Sequence, residues 1–228
     1  MKFLYETHMH TAEVSACAGS AAAEQARAYS ERGYAGVIVT DHFVNGNTTV
    51  HQKLPWEKKM KLFYSGYAAV KKEGEKRGLD VFFGWEFTIR GSDFLTYGLD
   101  FEFLLKHPGL DKLGIEAYSA IVRESGGYIA QAHPYREAWW IPEPSPADPG
   151  LLDGVEVYNA SMPGEVNEKA RLFAETHGLP RQAGSDSHSA NLGFASGVAL
   201  TKRAESILDI IHGIKGGEAE LILPRPFD

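Results

Sequence analysis

The sequence predicts an α/β fold in one domain, and three observations predict it. Short β-rich apolar runs recur along the chain, each followed by polar residues and then by a segment with helical periodicity. Five of these runs (Phe3–Thr7, Gly36–Thr40, Asp80–Trp85, Gly127–Ala132 and Gly154–Tyr158) are continuously apolar, as parallel strands buried on both faces are. The 228 residues, 43% hydrophobic and 23% charged, suffice for one large core, and no repeat, charge block or low-complexity tract marks a second domain.

In chain order, Phe3–Thr7 opens the series. Ser20 reads as the cap of a helix over Ala21–Arg32 that Gly33 stops. After Gly36–Thr40 comes a long loop, Phe43–Pro55, and then a helix over Trp56–Arg77 ended by Gly78. Asp80–Trp85 and Leu95–Leu99 read as strands, Leu113–Ser125 as a helix and Gly127–Ala132 as the next strand. A second long loop, Tyr135–Gly150, carries Pro142, Pro144, Pro146 and Pro149; long loops inside a compact fold are often lids. Gly154–Tyr158 leads to a helix over Glu165–His177, whose Val166, Ala170, Phe173 and Ala174 form the apolar stripe of a barrel-coating helix. The weakest strand, Arg181–Ala183, is followed by Gly197–Thr201 and a helix over Ala204–Lys215.

Composition narrows the function. A formal charge of −7, from 23 basic and 30 acidic residues, argues against a surface that grips long nucleic acid, while small anionic substrates held by a metal remain compatible with it. No run approaches the roughly 18 apolar residues of a membrane helix, and Met1–Tyr5 is too short for a signal peptide, so no membrane partner and a cytoplasmic location are expected. Cys17 is the single cysteine, which excludes an internal disulfide and a Cys-x-x-Cys site; a metal must be held mainly by nitrogen and oxygen.

In barrels of alternating strands and helices, reactive groups collect beyond the carboxyl ends of the strands. The first strand here runs into His8 and His10, the second into Asp41-His42, the third into Glu86, the fifth into His133-Pro134, the sixth into Asn159 and the seventh into Asp186-Ser187-His188. Alternation along an extended segment puts His8 and His10 on one face, roughly 7 Å apart at Cα, with Met9 pointing into packing. His51, His107, His177 and His212 read as ordinary structural or surface residues. Imidazole and carboxylate together suit zinc, manganese or iron(II), and a bridging carboxylate such as Glu86 lets two ions sit about 3.5–4 Å apart.

His-x-His, Thr-Asp-His, Gly-x-Glu, Ala-His-Pro and Ser-Asp-x-His, in that order from His8 to His188, resemble the PHP family, named for polymerase and histidinol phosphatase. The resemblance implies a distorted (β/α)7 barrel holding two or three divalent metals and hydrolysing phosphoesters. Family members include histidinol-phosphate phosphatases, nucleotide and nucleoside bisphosphate phosphatases, and metal-bearing domains of DNA polymerases. By resemblance, His8, His10, Glu86 and Asp186 hold one metal, Glu86 bridges to a second that His133 also binds, and His42 and His188 take a third. Where the family commonly supplies a histidine before a Leu-Leu-Gly-Tyr-like stretch, this chain has Asp93, read either as the replacement ligand or as a turn-capping aspartate. Where many members carry Asp or His to complete the third site, this chain has Cys17, either a zinc-favouring ligand or an inert small residue. Glu13 is either a further ligand or a solvated loop acid.

The expected chemistry is attack of a metal-bound hydroxide on phosphorus in a small phosphomonoester, with His42 and His188 as ligands or acid–base groups and Asp41 orienting His42. Arg136 and Arg90 are the candidate phosphate clamps, because guanidinium pairs with two oxygens at once. Trp139 and Trp140 either stack on a substrate ring or anchor their loop to the core. The alternatives are a phosphodiesterase or exonuclease on short oligonucleotides, and a noncatalytic metal-binding module.

Overall fold

The computed structural model describes residues 2–139, 141, 144–191 and 193–224. Its strands are β1 (Phe3–Met9), β2 (Gly36–Val39), β3 (Asp80–Ile89), β4 (Ser92–Tyr97), β5 (Tyr128–Ala132), β6 (Gly154–Asn159), β7 (Arg181–Gly184), β8 (Gly197–Leu200) and β9 (Glu220–Ile222). Between them lie α1 (Ala22–Glu31), α2 (Trp56–Arg77), α3 (Phe101–Lys106), α4 (Ile115–Glu124), α5 (Gly164–His177) and α6 (Ile207–Lys215). No described helix is long and apolar enough to cross a membrane.

One sheet runs in the order β7-β6-β5-β4-β3-β2-β1-β8-β9. The five continuously apolar runs form β1, β2, β3, β5 and β6, with parallel pairing within β1-β2-β3 and β5-β6-β7. The ring nearly closes. A parallel bridge joins Met9 to Ser187 just past β7, and His10 N–H donates to the Ser187 carbonyl at 3.0 Å. The amino-terminal half of β1, Phe3–Tyr5, pairs instead with β8, antiparallel. Seven strands therefore line a distorted barrel, and β8 and β9 extend it as a flap.

Several expectations need correction. The fourth strand begins at Ser92 rather than Leu95 and runs antiparallel to both neighbours, because β3 and β4 form a hairpin turning at Arg90-Gly91, both with positive φ. Reversal brings the start of β4, not its end, to the mouth where β3 and β5 finish. Ser20 does not cap α1: its hydroxyl accepts from Ala190 N–H, and Glu24 instead accepts from Ala21 N–H at 2.9 Å. The last helix starts at Ile207 rather than Ala204, and α3 and β9, too short to show a period, were not expected.

The barrel interior is apolar at the amino end, where Tyr5, Ile38, Leu95, Ala130 and Val198 pack with Ile210, Ile211 and Ile214 of α6. Above them comes a polar layer. Tyr97 donates to the Thr7 carbonyl at 2.7 Å and accepts from Gln182, which in turn accepts from Tyr128. Gly197, at φ 135°, lets β8 cross against β1: a Cβ there would fall 2.0 Å from the Tyr5 carbonyl oxygen.

Candidate metal centre

The strand-end residues meet at the carboxyl mouth of the barrel. Glu86, at the β2–β3 boundary of the mouth, is the hub. Its Oε1 lies 3.3 Å from both His8 Nε2 and His133 Nε2, and its Oε2 lies 2.6 Å from His42 Nδ1 and 3.6 Å from His10 Nε2. Opposite it, Asp186 Oδ1 lies 3.4 Å from His8 Nε2 and 3.2 Å from His10 Nε2, and Oδ2 lies 3.7 Å from His133 Nε2. His133 and Asp186 both hold the left-handed conformation, with φ of 27° and 51°. Strained backbone of this kind clusters at functional sites, where it aims a side chain that an ordinary strand end would not.

A set of partners fixes which nitrogen of each ring faces inward. Glu156 Oε1 lies 2.9 Å from His8 Nδ1, while its Oε2 accepts from His133 N–H and Asn159 Nδ2. The hydroxyl of Ser15 spends its one proton on Asp41 Oδ1, so it accepts from His10 Nδ1 at 3.0 Å. The Asp186 carbonyl, which can only accept, lies 3.0 Å from His188 Nδ1. In all three rings Nδ1 carries the proton and Nε2 presents a lone pair, the arrangement that outer partners of ligand histidines impose. Asp41 therefore acts through Ser15 on His10, and not on the ring of His42 as the sequence suggested.

The charges follow from this crowding. Burial raises the Glu86 and Asp186 carboxyls, but the imidazoles around them outweigh it and hold both well below the usual carboxylate range. Burial, with the charges of His42 and His188, lowers His10 to about 3. Burial also pushes the Cys17 thiol up, yet hydrogen bonds to His188 and His42 bring it down to about 6.

These residues fit a divalent cation. Nε2 of His8, His10 and His133 and Oε1 of Glu86 are buried without a hydrogen-bond partner, while His42 turns Nδ1 to Glu86 Oε2 and Nε2 toward Cys17. Buried polar atoms are almost always paired, and four orphans gathered around Glu86 are accounted for by divalent cations held among them. Among the described residues, four groups have ligand atoms close enough to share an ion: His8/His10/Glu86, His8/His133/Asp186, Glu86/Asp93/His133 and His10/His42/His188.

The remaining candidates divide. Asp93 lies in β4 rather than in a turn, opposite Ala132, with Oδ2 4.0 Å from His133 Nε2 and 2.9 Å from Arg136, and Oδ1 accepting from Thr88. Arg136 is thus placed at the centre, with a buried Nε that has no protein partner. Arg90 is not: β3 continues three residues past Glu86, so the hairpin turn carries Arg90 about 13 Å along the chain to an exposed position. Glu13 gives both oxygens to Ala22 N–H at the start of α1, which makes it a helix cap and not a ligand. Trp139 is 92% exposed and so does not anchor its loop in the core, while Trp140 and Pro142 lie outside the described residues. Met9 is buried against α1 and β2 as alternation requires. Glu156 and Glu6 were missed. Glu6 accepts from His8 N–H and Ser185 N–H, tying β1 to the end of β7. The available signal was an acid within each of two apolar strands, since a buried carboxylate needs partners.

Comparison with known proteins agrees with this arrangement. A family model described as PHP-associated matches residues 164–217. A search of curated protein sequences gave no match. Among solved structures, PsfC from Pseudomonas syringae PB-5123 superposes with a TM-score of 0.65 at 16% identity, covering 98% of this chain and 92% of that one. A protein from Bifidobacterium adolescentis, by assignment a metal-dependent phosphoesterase, gives 0.55 at 15% identity over 92% and 94% of the two chains. The lesion-specific endonuclease EndoQ from Pyrococcus furiosus gives 0.62 at 15% identity, covering 98% of this chain and 58% of that one. At these identities the structures share the fold. The PHP-associated match, that fold, and five ligand motifs meeting in family order at one barrel mouth bear out the resemblance of this chain to the PHP family.

Proposed function

We propose that this protein is a metal-dependent phosphoesterase acting on small phosphomonoesters. The observation that carries the reading is the gathering of three unpartnered buried imidazole nitrogens, of His8, His10 and His133, around the carboxylate of Glu86. Divalent ions held there would neutralise charge on phosphoryl oxygens and lower the pKa of water. The chain's own residues supply the rest. Glu86 has one oxygen toward His8 and His133 and the other toward His10 and His42, the disposition of a bridging carboxylate. Glu156 and the Asp41–Ser15 pair hold His8 and His10 with lone pairs inward. Arg136, oriented by Asp93, offers Nε to a phosphoryl oxygen. Beside Asp186 and His188 opens a cleft walled by Ser161, Ser189, Asn191 and Phe194, where a leaving group of nucleoside or imidazole size finds hydroxyl and aromatic contacts.

The net charge of −7 favours a small substrate over a long polyanion, and the likeness to EndoQ favours a diester. Metal-stripped protein reloaded with manganese, zinc or iron(II) separates them. It is assayed on histidinol phosphate, mononucleotides, nucleoside bisphosphates and bis(p-nitrophenyl) phosphate. Faster turnover of a monoester is expected; faster turnover of the diester assigns the protein to phosphodiester cleavage, and no hydrolysis by folded, loaded protein makes it a noncatalytic metal module.

A further inference from the structure

Cys17 stands where three groups need one proton. Its Sγ lies 3.1 Å from His188 Nε2 and 3.2 Å from His42 Nε2. The Asp186 carbonyl takes the Nδ1 proton of His188, so its Nε2 is a lone pair facing sulfur. A thiol has a single S–H and is a weak acceptor, so it serves two imidazole nitrogens poorly. The neighbouring His10 Nε2, fully buried and unpartnered, belongs to the same cluster as His42 and His188.

The position of the sulfur is not that of a swinging loop. Ala16 N–H donates to the Asn47 carbonyl at 2.9 Å, and Gly19 N–H donates to the His188 carbonyl at 2.7 Å, pinning the chain on both sides of Cys17. Ser15, two residues before it, is bonded to Asp41 and His10. The second pin ties the cysteine loop to the very residue whose ring the sulfur meets. Two donors on one tetrahedral ion stand about 3.5 Å apart, close to the two separations observed.

We propose that Cys17 is a metal ligand, its thiolate joining Nε2 of His42 and His188 in a sulfur–nitrogen–nitrogen site that selects zinc or another soft divalent ion over manganese and magnesium. The proposal rests on the mouth of the barrel being a metal centre. Sulfur and imidazole suit borderline-soft ions, whereas manganese and magnesium favour oxygen. Three protein ligands with the outer side exposed leave a coordination position open to solvent or substrate, as in catalytic zinc sites.

Cobalt(II) tests the assignment without reference to activity. Metal-stripped wild-type protein titrated with cobalt(II) is expected to develop a thiolate-to-cobalt charge-transfer band in the near ultraviolet, which excess zinc removes and excess manganese does not. Cys17→Ser is expected to lose that band and one equivalent of bound ion while keeping the visible ligand-field bands of the remaining cobalt. Cys17→Asp should recover the stoichiometry, with manganese now competing effectively. Ligand-field bands in the wild type without the charge-transfer band would overturn the role of Cys17 alone. Absence of any cobalt binding would overturn the metal centre, and this proposal with it.

Discussion

At the scale of single residues, the centre depends on atoms that touch no substrate. Glu156 fixes the tautomer of His8 from the far side of the ring and also binds the backbone of His133. Removing such an outer partner typically costs 10–100-fold in metal affinity. Glu156→Gln is therefore expected to weaken metal binding by about that factor without unfolding the chain, measured by competition with a chromophoric chelator. Glu86→Ala removes both hub oxygens and is expected to abolish hydrolysis and lower bound metal, read by elemental analysis; unchanged values for both would refute the bridging assignment. Legibility at this scale was uneven. His8, His10, Glu86, His133, Asp186 and His188 were visible because each stands at or just past the end of a β-rich run in the sequence. Glu156 was hidden inside a strand that otherwise reads as apolar, and the placement of His133 and Asp186 depends on positive φ angles that no side-chain pattern encodes.

At the scale of elements, the hairpin of β3 and β4 decides which residues reach the mouth. An antiparallel β4 starts where its neighbours end, which puts Asp93 beside His133 and leaves Arg90 outside. The sequence showed strands at both places but not their directions, because a two-residue connection and a helical crossover are told apart only once the strand ends are located to a residue. Arg90→Ala is expected to leave hydrolysis within about twofold of the wild type, whereas Arg136→Ala is expected to raise KM by about tenfold or more, the worth of a charge-assisted bond. Steady-state kinetics on one monoester checks both. The crossing of β8 over β1 makes a separate demand: Gly197→Ala places a Cβ against the Tyr5 carbonyl and is expected to cost about 3 kcal/mol, measurable by urea unfolding.

At the scale of the whole molecule, alternating strands and helices announced the α/β class, and strand-end chemistry announced the mouth. The flap of β8 and β9 was legible only as one extra strand. If the mouth binds ions at about a thousandfold above their dissociation constant, linkage gives about 4 kcal/mol, equivalent to a melting shift of about 10 °C at this chain length. Thermal unfolding with and without chelator is expected to show that shift.

Among the described residues the ring of strands is fastened by little backbone: one bridge between Met9 and Ser187, with one hydrogen bond on each side of it. Yet His8 and His10 stand on one margin of that junction and Asp186 and His188 on the other. An ion gripped by both margins is a rivet across the weakest seam of the barrel. Loading and seam opening then oppose one another, so the amides of His10 and Ser187 are expected to exchange with deuterium markedly more slowly in loaded protein than in stripped protein. Catalytic equipment and mechanical fastening would be the same few side chains, and losing the metal would loosen the wall that positions them.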